Sequence, residues 1–189
     1  MAKNVFPESD FCLIEPQREM KDYLDGFCKE FKGSVYFLAG AGSKSGQLNL
    51  TIWDDLVGSS FLPKQDLNLE DQGKQRPVEI VTIDELIKSS KIGVPEIIKP
   101  DIQAFELEAL NGATSTFGIT EVFIMEVSFF RFAEAMPLFW EVINFMFQRD
   151  YVVYDFPGFA RRPLDGALGQ CDICFVKENS FLRSSHLWI

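Results

Sequence analysis

Lys99-Pro100-Asp101-Ile102-Gln103-Ala104-Phe105-Glu106-Leu107-Glu108-Ala109-Leu110-Asn111-Gly112-Ala113 runs from the end of one regular element into the start of another. Just before it, Ile97-Ile98 is apolar on consecutive positions, as expected of a strand covered on both faces. Asp101 falls where that strand would emerge, and ligands of open α/β sheets bind outside such carboxyl ends. From Ala104 the spacing becomes helical: Phe105, Leu107 and Leu110 are apolar, Glu106 and Glu108 are early acids, and Asn111-Gly112 is a stop signal. Glu106 reads as stabilising the start of its own helix, and Asp101 as a candidate site residue.

Length and composition bound the fold. A chain of 189 residues with 47% hydrophobic content has the size of one domain with one good core. The formal charge is -10, from 18 basic and 28 acidic residues, with no basic block. That balance argues against nucleic acid or anionic membrane as a partner, because both are bound by neutralising phosphates. Met1 to Asp10 lacks the apolar core of a signal peptide, and no apolar run approaches the length of a membrane span. The expected location is cytoplasmic.

Cysteine usage fits that compartment. Cys171 and Cys174 invite a metal or redox reading, but strand residues three apart point to opposite faces, and there is no second pair. Reduced core thiols are the expectation, with no metal. The single histidine, His186, lies in a C-terminal tail, which leaves acid-base chemistry to carboxylates, Tyr or Lys.

The pattern along the chain alternates strands and helices. Phe11 to Ile14 reads as a strand, Gln17 to Phe31 as a helix stopped by Gly33, and Val35 to Leu38 as the next strand. After the Gly40 to Gly46 loop, Gln47 to Trp53 alternates polar and apolar residues, which predicts an extra antiparallel hairpin strand. Lys64 to Arg76 reads as a loop, Val78 to Val81 as a strand, and Asp84 to Ser89 as a short helix capped by Thr82. Strand Glu121 to Val127 ends near Glu126 and is followed by a helix over Ala133 to Gln148. Strands at Tyr151 to Tyr154 and Ile173 to Val176 complete the series. The Ala133 to Gln148 helix is apolar around most of its circumference, so it is buried on several sides or forms an interface. These elements make an α/β fold with flanking helices.

Ile14-Glu15-Pro16-Gln17, the Ala39-Gly40 turn, Gly58-Ser59-Ser60, Thr82-Ile83-Asp84-Glu85-Leu86, the Asp101 segment and Glu126-Val127-Ser128 stand in a particular order. That order and approximate spacing resemble FkbM-type methyltransferases over nearly the whole chain. Gly158 to Leu168 is similar to a C-terminal block of part of that family. The resemblance implies a class I methyltransferase-like (Rossmann-like), mostly parallel sheet that uses S-adenosylmethionine. The expected reaction is O-methylation of a small metabolite or sugar hydroxyl.

By the same resemblance Glu15 matches the acid placed on the cofactor ribose, with Ala39 and Gly40 beside the cofactor. Glu15 before Pro16 also suits helix capping. Asp101 and Glu126 would flank the transferring methyl group, orienting the acceptor or acting as general base; capping and solvation of strand ends are their bland roles. Arg161 and Arg162 would hold an anionic acceptor, or form an ordinary surface turn.

Departures from the family pattern are equally informative. The strand ending at Glu15 resembles the family's second strand, so the first strand and its Gly-rich cofactor turn are absent from these residues. One missing strand leaves roughly 4.8 Å of extra separation between the strands ending at Glu15 and Asp101. The sheet then re-closes, recruits another chain as a homo-oligomer or heteromer, or belongs to an N-terminally incomplete domain. Pro100 stands where the family has a non-proline residue, and Ala104 where it favours Gly. An alternative reading is therefore a shortened, non-catalytic binding or assembly protein, or half of a site completed by a partner chain.

Overall fold

A computed structural model of the chain describes residues 2–54, 56, 58–62, 69 and 74–189. A helical turn, α1 (Ala2–Val5), precedes strand β1 (Cys12–Ile14). Pro16 lacks an N–H, and beyond it the chain makes a 3-10 turn (Arg18–Met20) that continues into α2 (Lys21–Glu30). The expected single helix over Gln17 to Phe31 thus begins as a tighter turn. Gly33 ends this region at φ 90°, a left-handed position where a Cβ would sit 2.0 Å from Asp10 Oδ1. Strand β2 (Val35–Phe37) then pairs with β1 in parallel.

Three short strands form a second sheet. β3 (Gly40–Ala41) lies parallel to β5 (Gln75–Val81), and β4 (Gly46–Thr51) lies antiparallel to it on the other side. The extra antiparallel strand is present, but its partner is β5, which separates it from β3. Strand β5 starts at Gln75, so the expected Lys64 to Arg76 loop is shorter at its end. Residues 64–68 and 70–73 of that loop lie outside the described residues. Arg76 is ordered by a two-pronged pair with Glu19, both contacts 2.6 Å, which ties this sheet to the turn after β1.

Helix α3 (Ile83–Lys88) follows, and the Thr82 hydroxyl accepts the Glu85 N–H at 3.0 Å as its cap. Strand β6 (Ile97–Ile98) leads through the Asp101 loop into α4 (Glu106–Asn111). The last sheet has the order β6-β7-β9-β8, with β7 (Val122–Ser128), β8 (Tyr151–Arg161) and β9 (Leu168–Lys177). β6 is parallel to β7, while β9 is antiparallel to both of its neighbours.

Opposed residues Phe123 and Phe175, Met125 and Ile173, and Val127 and Cys171 put buried side chains on one face. Helix α5 (Phe139–Phe147) covers that face with Val142 and Met146. Burial, followed by the nearby Asp172, pushes the Cys171 thiol up to about 11, in keeping with a core thiol.

Two boundaries depart from the sequence pattern. Helix α5 starts at Phe139 rather than Ala133: Pro137 disfavours helical geometry at the residue before it, and Leu138 is extended at ψ 161°. Its circumference is not fully covered either, since Trp140 and Phe147 are more than half exposed while Val142 and Met146 are buried. Strand β8 continues through Asp155-Phe156-Pro157-Gly158 to Arg161, where the sequence reads as a break. As an edge strand with register shifts around Asp155 and before Gly158, it accommodates a proline that a central strand would reject.

Of the three outcomes open to a sheet without its first strand, re-closure does not occur among the described residues. β1 pairs only with β2, and β6 only with β7. The parallel register turns the main-chain groups of Leu13 and Glu15 toward β2, so those of Cys12 and Ile14 face the opposite side. By the same alternation Ile97 presents its N–H and C=O away from β7. These two strand edges therefore have no partner strand among the described residues.

Candidate functional site

Carboxylates gather at the carboxyl ends of β6 and β7. Asp101 lies just beyond β6, half exposed, and pairs with Lys99 Nζ at 2.8 Å. Glu126, half-buried in β7, receives a hydrogen bond from Gln170 Nε2 at 2.7 Å. Burial raises the proton affinity of Glu126, and the charges of Asp101 and Asp172 raise it further. Lys99 and the Gln170 amide pull the other way without cancelling the rise. The structure thus brings the two sequence-predicted carboxylates, Asp101 and Glu126, within electrostatic reach of each other.

The loop between β6 and α4 is unusual in its backbone. Gln103 and Ala104 adopt φ 55° and 72°, two consecutive left-handed non-glycine residues. Each such residue costs about 1–2 kcal/mol. The preference for Gly at the Ala104 position is thereby explained by conformation.

Glu106 lies in the first turn of α4, as expected of a helix-start acid, and does more besides. It is 4% exposed, and its Oε1 reaches back to accept the Ile102 and Ala104 N–H groups, each at 3.1 Å. Burial raises its proton affinity, against the pull of those N–H groups and its own, and the Glu126 charge raises it further.

Gly58-Ser59-Ser60 joins the segments that follow β1 and β6. The Ser59 hydroxyl donates to Gln17 Oε1 at 3.2 Å, and the Ser60 hydroxyl donates to the Gln103 carbonyl at 2.9 Å. Adjacent residues of one loop thus touch the segment after β1 and the segment after β6. Glu15, at the end of β1, accepts the Gln17 N–H through Oε1 at 2.8 Å, the capping contact its position before Pro16 suggested.

Ala39 and Gly40 are buried, and a Cβ on Gly40 would come within 2.5 Å of the Phe61 ring. Gly40 is a strand residue roofed by Phe61 rather than an open turn. Arg161 and Arg162 end β8 at the same end of the sheet as Ser128. Arg161 Nη1 donates to the Gly166 carbonyl at 2.9 Å, and the Arg162 guanidinium lies 4.1 Å from the Phe130 ring centre while Nε pairs with Asp165. Both cations therefore have local partners within the β8–β9 hairpin.

Sequence reasoning did not single out Gln170, Ser60 or the back-reaching role of Glu106. Gln170 comes from β9, more than forty residues away in the chain, and only strand register puts it opposite Ser128. Ser60 belongs to the Gly58-Ser59-Ser60 motif, but its partner is a main-chain carbonyl that no sequence pattern reveals.

A family model described as Methyltransferase FkbM domain matches residues 11–153. The chain is also similar to the crystal structure of a methyltransferase FkbM from Methylobacillus flagellatus KT, with a TM-score of 0.56 at 16% identity. That match covers 91% of this chain and 39% of that protein, so the chain spans about two fifths of its length. At this identity the likeness is one of fold. No curated protein matches the chain.

Proposed function

This chain belongs to the FkbM methyltransferase family, and from that premise we propose that it serves S-adenosylmethionine-dependent O-methylation of a small metabolite or sugar hydroxyl. The observation that carries the reading is the pairing of Asp101 and Glu126 at neighbouring strand ends, with Glu126 raised in proton affinity by burial and by Asp101.

When bound, S-adenosylmethionine supplies a methyl group on a cationic sulfonium. The residues present suit that group in charge: Asp101 and Glu126 favour a cation, and the free oxygen of Glu15 suits a ribose hydroxyl. Ala39 and Gly40 would lie beside it beneath Phe61. Glu126 would take the proton of the acceptor hydroxyl, a role helped by its raised proton affinity, while Asp101 orients the acceptor. Arg161 and Arg162 would meet an anionic acceptor only by exchanging Gly166 and Asp165 for it.

The open edges of β1 and β6 favour a second component of the same reading: the site is completed by a strand lying between them, from a partner chain or from sequence outside these 189 residues. The setting we propose is cytoplasmic. Among the described residues no helix is long and apolar enough to cross a membrane.

Titration calorimetry with S-adenosylhomocysteine tests the cofactor step. Binding that is abolished in Glu15→Ala supports it. A purified chain that takes up neither S-adenosylhomocysteine nor S-adenosylmethionine rules out independent catalysis and favours the shortened binding or assembly protein. Native mass spectrometry then reads the partner component directly.

A further inference from the structure

We propose that Glu106 and Ser60 are positioning residues of the candidate site, which together lock the 101–105 loop into a left-handed path that its own sequence does not favour. The proposal rests on the reading that Asp101 and Glu126 face the ligand.

Neither Gln103 nor Ala104 is Gly, Asn or Asp, the residues that take left-handed geometry readily, yet both occupy it. The loop is held from both sides. From within, the Glu106 carboxylate takes the N–H groups of Ile102 and Ala104, which flank Gln103. From outside, the Ser60 hydroxyl takes the Gln103 carbonyl. Phe61, next to Ser60, packs its ring 5.4 Å from that of Phe105 and closes the same seam.

A helix-capping role does not account for Glu106. Its own N–H, which its carboxylate also accepts, belongs to the first turn of α4, but the other two groups it serves, on Ile102 and Ala104, precede both the helix and its cap residue Phe105 and lie beyond a cap's reach. Nor is it needed as filler, for which an uncharged side chain would avoid the cost of burying a carboxylate. What this arrangement secures is the exit of Asp101 from β6. The locked Gln103-Ala104 backbone then lines one cleft with Glu126, Ser128 and Gln170.

The test uses the whole chain and needs no cofactor, so its failure is distinguishable from failure of the methyl-transfer reading. Amide exchange is measured by NMR for Ile102 and Ala104, together with the carboxyl titration of Glu126. In Glu106→Gln the two amides are expected to exchange roughly tenfold faster, since a charge-assisted bond becomes a neutral one. Amides of β9 and α5 keep their protection. Adding Ala104→Gly to that variant restores most of the loss.

Ser60→Ala changes no charge; it also removes the acceptor of the Leu62 N–H, so exchange at Leu62 is read beside it to separate that loss from the loss of the Gln103 contact. It is expected to speed exchange at both amides and to lower the Glu126 titration midpoint, because Asp101 is no longer held beside it. Unchanged exchange at Ile102 and Ala104, loss spread evenly over the core, or an unmoved Glu126 midpoint in Ser60→Ala would overturn the proposal. Should Glu106→Gln fail to fold, Ser60→Ala alone decides.

Discussion

Ala104 shows how one residue reports on a family preference. Its φ of 72° is the geometry glycine adopts without a Cβ penalty. Ala104→Gly should therefore raise the unfolding free energy by about 1 kcal/mol, the left-handed cost less the added entropy of the unfolded chain. Urea denaturation checks it, and a destabilised variant would contradict the strain account.

Asp84 offers a second test at this scale. Burial opposes its charge, but hydrogen bonds from Ser115 and Thr114 outweigh it and hold the carboxyl below its ordinary range. An acid depressed in the folded state gives stability that is full above its unfolded pKa and is lost as pH falls through the folded one. Glu106 has the opposite sign: raised in the folded state, it costs stability as pH climbs from the ordinary carboxylate range through its own pKa. Stability curves of Asp84→Asn should show a shallower acid-side fall, the rest of which belongs to other lowered acids such as Glu19, and those of Glu106→Gln should lose part of the decline just above it. Thermal unfolding between about pH 3 and 7, spanning the ordinary carboxylate range, separates the two.

At the level of elements, close backbone approach decides which helix ends are replaceable. Gly112 ends α4 against β3's continuation, where an added Cβ would meet the Gly42 carbonyl oxygen at 1.9 Å. Because backbone cannot yield as a side chain can, Gly112→Ala should cost about 3 kcal/mol, read as a fall in the denaturation midpoint. Its stop signal was legible in the sequence, but the crowding was not.

Helix α5 teaches the same lesson from the other side. Its apolar run predicted burial on several sides or an interface; within the helix Val142 and Met146 alone are fully covered, while Trp140 and Phe147 remain more than half exposed. Met146→Ala should cost about 2–5 kcal/mol through the cavity it leaves. Trp140→Ala should change stability by less than about 0.5 kcal/mol. Equal losses for both would show that the exposed face is covered in solution.

For the whole molecule, the decisive feature is the pair of open edges on β1 and β6. Amides of Cys12, Ile14 and Ile97, which face away from their only partner strands, should exchange far faster than those of Leu13 and Ile98. Comparable protection of all five would mean that a strand lies between the two edges. Pro100 fits because it lies two residues beyond Ile98, the end of β6, where its missing N–H removes no hydrogen bond of the ladder.

The strand and helix alternation, the Thr82 cap, the placement of Asp101 and Glu126 at strand ends and the family itself follow from local pattern and residue order. Those signals are short-range: consecutive apolar residues, a hydroxyl before a helix, an acid where a strand stops. Tertiary structure alone decided that Glu106 reaches backward, that Ser59 and Ser60 tie the β1 side to the β6 side, and that Gln170 holds Glu126. Each of these is a hydrogen bond made to a main-chain atom or across strands distant in sequence. Its geometry is fixed by register and packing, which the order of residues does not itself display.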